Sequence, residues 1–302
     1  MSPASTPLAA MATPTVDASS RRLVGLIGAG IQRSLTPAMH ETEAAEHGLR
    51  LHYQLIDLDR AGVGLEALPT LIAAAKWMGF AGLNITYPCK QAVLAQLDGL
   101  SEEARAMGAV NTVVFRDGRA IGHNTDGSGW RWGFERALPG ADLSCVVLVG
   151  AGGAGSAIAH ALLRMEAASL RIVDTDPVRA RALAAALNRV YPGGRAVAEP
   201  DAARALSGAC GLVHATPTGM SKLPGLPLPG ALLHPGLWVA EIVYFPFETE
   251  LLRAARALGC RTVDGGTMAV GQAIGAFRLF TGFDAEPARV AAHFVRLIGA
   301  AT

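Results

Sequence analysis

The chain has 302 residues, 51% of them hydrophobic, and 26 Lys and Arg against 25 Asp and Glu give a formal net charge of +1. That length and apolar content support a large core and two domains. Near-neutral charge leaves no electrostatic footprint for nucleic acid, and no apolar run is long enough to span a membrane, so the expected partner is a small neutral or anionic molecule and the expected location is the cytoplasm.

Residues 1–22 are rich in Ala, Ser, Thr and Pro and lack a signal peptide's basic-then-apolar order, so a disordered tail is expected; a weak organelle-targeting peptide is the alternative, since no acid precedes Asp17 and Arg21-Arg22 follow. Next, Leu23-Val24-Gly25-Leu26-Ile27-Gly28-Ala29-Gly30 looks like a dinucleotide fingerprint, but Gln32, Arg33 and Ser34 follow and the third glycine is missing. A strand and a substrate loop are expected instead. Thr36 before Pro37 makes an N-cap and N1 pair, predicting a helix over 37–47 that stops at Gly48. The two hydroxyls of Ser34 and Thr36 at that helix start would also suit a carboxylate.

Residues 51–57 read as the next strand and 65–77 as a helix, which sets up a βαβ rhythm. Gly82-Leu83-Asn84-Ile85-Thr86-Tyr87-Pro88-Cys89-Lys90 alternates apolar with polar until Pro88, predicting a strand whose end delivers Lys90. In α/β proteins ligands bind at such strand ends. Cys89, beside Lys90, is a candidate reactive thiol, whereas Cys145 reads as a small core hydrophobe. With Cys210 and Cys260 these cysteines are widely spaced and form no metal-ligand pattern, so no metal is expected. Residues 108–115 read as a strand, Arg116-Asp117-Gly118-Arg119 as a hairpin turn, and the return strand runs to Asn124-Thr125-Asp126-Gly127. Asp126, in a loop before a helix, is by default a cap or turn former.

The stretch that organises the second half is Val146-Val147-Leu148-Val149 followed by Gly150-Ala151-Gly152-Gly153-Ala154-Gly155. The apolar run is a buried strand, and Gly150, Gly152 and Gly155 form G-x-G-x-x-G where that strand turns into a helix. Gly150 allows the tight turn, Gly152 lets the backbone approach a pyrophosphate, and Gly155 lets the helix pack on its strand. A second strand over 170–173 ends at Asp174, where a carboxylate takes the ribose hydroxyls of NAD and repels the extra phosphate of NADP. A Gly-rich turn with a surface Asp is the bland alternative, and it leaves the register of strand, glycines, helix, strand and acid unexplained. Asp176-Pro177 starts another capped helix to about Val190. Strands over 211–214, 237–240 and 261–263, a helix over 248–258 closed by Gly259, and two final helices over 267–280 and 287–298 complete the chain.

Taken together, Ser34-Leu35-Thr36-Pro37, Asn84-Ile85-Thr86-Tyr87-Pro88-Cys89-Lys90, Gly108-Ala109-Val110-Asn111-Thr112 and Asn124-Thr125-Asp126-Gly127 resemble the ordered motifs of the shikimate/quinate dehydrogenase family. The likeness continues through Ala215-Thr216-Pro217, Gly219-Met220, Tyr244-Phe245-Pro246, Thr249-Glu250-Leu251-Leu252, Asp264-Gly265-Gly266-Thr267-Met268 and Gln272. It implies a two-domain α/β enzyme. An N-terminal substrate and catalytic domain would span 23–124, a Rossmann domain with a doubly wound parallel sheet 125–266, and C-terminal helices over 267–302 would return to the first domain. It also implies Lys90 and Asp126 as the catalytic pair, with Ser34 and Thr36 on the substrate carboxylate and Asn84, Thr86, Asn111, Tyr244 and Gln272 around the ring. The dinucleotide, expected to be NAD, would meet Gly150, Ala151, Gly152, Gly153, Ala154, Gly155, Asp174, Thr216, Pro217, Gly265 and Met268.

Three departures matter. Thr36 stands where the family often has Ser, as in members that accept quinate. Asp174-Thr175-Asp176 stands where many shikimate-specific members have Asn-Arg-Thr gripping the NADP phosphate. His214 stands where Asn is common. The resemblance therefore points to NAD-dependent oxidation of quinate or shikimate by a monomer or homodimer. The rivals are an NADP-dependent biosynthetic shikimate dehydrogenase, a folate-type dehydrogenase, which the Ser34/Thr36 pair disfavours, and a non-catalytic NAD-binding sensor, which retention of both Lys90 and Asp126 disfavours.

Overall fold

A computed structural model describes residues 21–301, so the tail expectation lies outside the described residues except at its end. There Arg21 and Arg22 already belong to the first strand, because they pair with Arg50 and Leu51 of its neighbour. The first half runs β1 (Arg21–Gly28), α1 (Thr36–Glu46), β2 (Arg50–Asp57), α2 (Leu58–Ala61), α3 (Leu68–Trp77), β3 (Gly82–Ile85), α4 (Cys89–Ala92), β4 (Gly99–Leu100), α5 (Glu102–Met107), β5 (Thr112–Arg116), β6 (Arg119–His123) and α6 (Asp126–Ala137). The second runs β7 (Val146–Val149), α7 (Gly153–Arg164), β8 (Leu170–Val173), α8 (Pro177–Val190), β9 (Ala196–Ala198), α9 (Ala202–Leu206), β10 (Gly211–His214), β11 (Trp238–Glu241), α10 (Glu250–Ala257), β12 (Arg261–Val263), α11 (Gly265–Thr281) and α12 (Pro287–Ala301).

The first sheet has the order β2-β1-β3-β5-β6-β4. Its β1, β2 and β3 are parallel, while β5 runs antiparallel to both β3 and β6. The turn between β5 and β6 places Asp117 at φ 51° and Gly118 at φ 71°. Two positive φ values are what a type I′ hairpin requires, and Asp-Gly is a pair that supplies them. The second sheet, β12-β11-β10-β7-β8-β9, is parallel throughout. The chain enters at β7, builds outward to β9, then returns to β10 on the other side of β7, so the sheet is doubly wound with its switch point between β7 and β10. All four residues of β7 are buried, as expected of a central strand covered on both faces.

Several local expectations are corrected. The helix expected over 65–77 opens with a 3-10 turn, Leu65–Ala67, and becomes α-helical only at Leu68, with Pro69 in the first turn. The strand expected from Gly108 begins at Thr112, because Gly108 is the left-handed stop of α5, a helix too short to show periodicity. Thr36 is not an N-cap: Leu35 holds that position without a side-chain bond, and Thr36 is already inside α1. Cys89 is fully buried, and burial pushes its thiol up to about 11, so it is not a reactive thiolate.

Helix α11 crosses α6 at backbone contact. A Cβ added at Gly129 would lie 2.3 Å from the Gln272 amide nitrogen, and one at Gly271 would lie 2.4 Å from the Gly129 carbonyl oxygen. Met39 of α1 packs with Val270, Ala273 and Phe277 of α11, while Phe280 packs with Val24 and Val114 of the first sheet. Helix α12 is tied to α1 by the largely buried Glu43 carboxylate, which accepts from Arg289 Nη2 at 2.6 Å, Arg289 Nε at 2.8 Å and the Glu286 amide at 2.8 Å.

Candidate active site

Lys90 sits on α4, just beyond β3, and its Nζ is 2.5 Å from Asp126 Oδ2 at the start of α6. The two side chains are only 19% and 5% exposed, so water screens the pair far less than a surface ion pair. Asp126 forms no helix cap, although that is the default for an Asp at this place. Its other oxygen accepts from Asn111 Nδ2 at 2.9 Å, and its backbone N–H donates to Asn124 Oδ1 at 2.9 Å. Asn111 is held in turn: it donates to Thr125 Oγ1 at 2.9 Å, while its Oδ1 accepts from the Thr125 amide at 2.8 Å. Both carboxylate oxygens are thereby engaged, and the Lys90 ammonium keeps N–H donors beyond the one given to Asp126.

The network spreads from that pair. Asn84 Nδ2 donates to Thr112 Oγ1 at 3.0 Å, and Asn84 Oδ1 accepts from the Tyr53 hydroxyl at 2.7 Å. Burial, and then the nearby Tyr244, push the Tyr53 phenol well above its ordinary value, so it stays protonated and remains a donor. Thr125 Oγ1 donates to the Gln272 carbonyl at 3.1 Å, which brings α11 to the same place. Tyr53 carries no motif of its own in the sequence, and Thr125, although inside Asn124-Thr125-Asp126-Gly127, gives no sign of this brace; both emerge because β2, the start of α6 and α11 meet here although far apart in the chain.

The loop after β1 carries Ser34, and Thr36 opens α1. Ser34 Oγ donates to Thr36 Oγ1 at 3.1 Å and accepts from the Thr36 amide at 3.3 Å. Ser34 thus turns the chain into α1, and the Thr36 hydroxyl, freed from capping, joins it in one polar spot. Asp57, the last residue of β2, fixes this loop by accepting from the Gly30 amide at 2.9 Å, the Ile31 amide at 3.1 Å and Gln32 Nε2 at 3.0 Å. Thr86 closes on the loop from β3: a Cβ at Gly28 would lie 2.2 Å from its methyl carbon. A strand's last Asp gave no signal of this task in the sequence.

Across the cleft, Gly150 has φ 107°, and a Cβ there would lie 2.5 Å from the Ala215 carbonyl and 2.8 Å from the Thr216 methyl. A Cβ at Gly155 would lie 2.0 Å from the Gly150 carbonyl, so this turn tolerates no side chain at either position. A Cβ at Gly152 would meet nothing within 4 Å, and Gly152 leaves the α7 N-terminus without a side-chain cap, whereas α8, α10 and α11 are capped by Asp176, Thr249 and Asp264. Unsatisfied amides facing open space suit a pyrophosphate. A Cβ at Gly153 would lie 3.7 Å from Lys90 Cδ, so the Lys90 stem runs over the glycine turn. Gly265 packs on the Ile242 and Val243 backbone and Met268 joins the core under the second sheet; Pro217 is exposed on the loop that carries Thr216.

At the far end of the turn, Asp174 Oδ2 accepts from the Ala151 amide at 2.7 Å. Its Oδ1 accepts from the Asp176 amide at 2.8 Å and Arg179 Nη2 at 2.8 Å. Burial would raise the carboxyl, but these bonds outweigh it and hold Asp174 below the usual carboxylate range.

The chain is similar to known proteins over nearly its whole length. The family model described as the shikimate dehydrogenase substrate binding domain matches residues 26–113. A shikimate dehydrogenase (NADP(+)) of Streptomyces avermitilis is 60% identical over 281 residues, covering 92% of this chain and 97% of the relative. A quinate/shikimate dehydrogenase (NAD(+)) of Corynebacterium efficiens is 48% identical, covering 91% and 98%. The solved structure of quinate dehydrogenase from Corynebacterium glutamicum in complex with NAD is 46% identical with a TM-score of 0.83, covering 92% of this chain and 100% of that one. With two α/β sheets, the glycine turn at the switch point and relatives this similar over nearly the whole chain, the protein belongs to the shikimate dehydrogenase family.

Proposed function

We propose that the chain catalyses reversible NAD-dependent oxidation of a ring hydroxyl of quinate, to 3-dehydroquinate, or of shikimate, to 3-dehydroshikimate, with residues 23–124 holding substrate and 125–266 holding cofactor. The observation that carries this is the desolvated Lys90–Asp126 pair lying over the fingerprint at Gly153. The dinucleotide, when bound, supplies a hydride acceptor. The residues do the rest. Lys90 and Asp126 take the hydroxyl proton as the carbonyl forms and return it in the reverse direction. Ser34 and Thr36 bind the substrate carboxylate, and Asn84, Thr86, Asn111, Tyr244 and Gln272 orient the ring hydroxyls. Initial rates with purified protein for both substrates, each with NAD and NADP, test the reading; no turnover of either ring acid would end it.

The carboxylate assignment makes a separate claim. Because Thr36 caps nothing, Thr36→Val is expected to raise KM for the ring acid roughly tenfold, about the worth of one hydrogen bond to a charged group, while Tm hardly moves. A drop in Tm with unchanged KM would return Thr36 to a packing role.

Preference for NAD rests on Asp174, ionised and aimed at the fingerprint through the Ala151 amide. One observation favours the other dinucleotide: Arg179 lies beside Asp174 with its side chain 56% exposed, and a guanidinium there could turn to a phosphate. The relative that is 60% identical is named for NADP(+). Asp174→Ala decides between them. It is expected to lower kcat/KM with NAD roughly tenfold and narrow the preference; if NADP is already the better substrate of the parent, Asp174 is not selecting NAD.

A further inference from the structure

His214 and Glu241 are the last residues of β10 and β11, two interior strands of the second sheet, and are paired in parallel register at the strands' C-terminal ends. Both side chains are 0% exposed, and His214 Nδ1 lies 2.8 Å from Glu241 Oε1. The other ring nitrogen, Nε2, lies 2.5 Å from Thr216 Oγ1. Glu241 is used at both oxygens: Oε1 also accepts from the Val243 amide at 2.9 Å, and Oε2 accepts from the Thr249 hydroxyl at 3.0 Å. Thr249 then caps α10 by accepting from the Leu252 amide at 3.2 Å.

A buried polar pair is a costly way to join two strands that already share a backbone ladder, since apolar side chains of similar volume would hold them as well or better. What the pair adds is a connection between loops. One loop, after β10, carries Thr216, whose methyl abuts Gly150 of the fingerprint. The other, after β11, carries Val243 and Tyr244. A single hydrogen-bond chain runs from the Thr218 amide, 3.3 Å from Thr216 Oγ1, through His214 and Glu241 to the start of α10.

The chain also has a direction. A carboxylate only accepts, so Nδ1 donates to Glu241; with His214 as the neutral imidazole, Nε2 then accepts and the Thr216 hydroxyl donates to it, whereas an imidazolium would donate from both nitrogens. The Thr216 oxygen keeps two lone pairs, one taken by the Thr218 amide and one free. We propose that His214 is a positioning residue that spends the Thr216 proton inward. Thr216 therefore presents an acceptor to an N–H or O–H group of the dinucleotide. The inference rests on the reading that the 215–219 loop meets the dinucleotide.

Two substitutions separate the halves of the relay. His214→Asn keeps a donor for Glu241 but falls short of Thr216; His214→Gln reaches Thr216 but gives up the Glu241 bond. With NAD and NADP each titrated by fluorescence, His214→Asn is expected to raise the dinucleotide Kd roughly tenfold, the worth of one well-made hydrogen bond, and His214→Gln to recover part of that loss. In His214→Asn, KM for the ring acid and kcat at saturating dinucleotide should stay within about twofold of the parent. Thr216→Val is expected to match His214→Asn, and the double variant to cost little more than either alone. If His214→Asn and His214→Gln lower Tm while Kd stays within twofold of the parent, the pair only holds the two strand ends together and the proposal fails. Additive losses in the double variant would overturn it as well. A parent that binds neither dinucleotide would instead overturn the cofactor reading on which it stands.

Discussion

Lys90→Ala is expected to lower kcat about a hundredfold to ten-thousandfold, the range that a positioned acid–base group contributes, with a much smaller change in KM for the ring acid. The expectation comes from placement. Lys90 Nζ is 2.5 Å from a carboxylate that is itself fixed by Asn111, in a cleft that leaves both side chains largely buried. Under the proposed mechanism, a hydroxyl bound there would lose its proton to a group that needs no reorganisation. Because the Lys and the Asp share one task, Asp126→Asn added to Lys90→Ala should cost far less than the product of the two single losses. Steady-state rates in the oxidation direction, with stopped-flow single turnover to isolate chemistry, check both points. Near-normal kcat with only lost affinity would leave the pair as a substrate clamp.

The second large effect is expected far from any proton. Gly129→Ala or Gly271→Ala puts a methyl where the partner helix already has backbone, at 2.3 Å and 2.4 Å, and backbone cannot turn aside as a flexible side chain can. Helices α6 and α11 must separate. Overpacking of this kind costs about 1–3 kcal/mol or more, so Tm should fall by several degrees. It should also reach the site, because Gln272 lies at the contact and its carbonyl is the acceptor for Thr125, which braces Asn111 and through it Asp126. The expected result is a raised KM for the ring acid together with a lowered kcat, at temperatures well below the new Tm. Ser128→Ala, on the exposed side of α6, serves as the control and should change neither quantity. Unchanged thermal stability in both glycine variants would mean that the helices do not approach this closely.

Both expectations rest on long-range pairings, and they mark the boundary of what sequence could supply. Residues 21–22 pair with β2 although their composition reads as tail, and the 3-10 opening at Leu65 looked like helix from its periodicity. Neighbours in space decided the first of these cases.

By itself the sequence determined the features whose physics is local. Four buried apolar residues followed by G-x-G-x-x-G specify a strand, a turn free of side chains and a helix start. Asp117-Gly118 specifies a hairpin because both φ values must be positive, and Asp176-Pro177 specifies a helix start because one residue caps and the next has no N–H to satisfy. The motif order also named Lys90, Asp126, Asn84 and Asn111, which the fold does bring together. Only the tertiary structure decided what each polar group is satisfied by. Asp57 became the brace of the Ser34 loop and His214 found Glu241, because partners 26 and 27 residues apart met at strand ends and loops that no period or spacing links. A buried donor or acceptor must find its partner wherever the fold puts one, and that requirement is met in three dimensions.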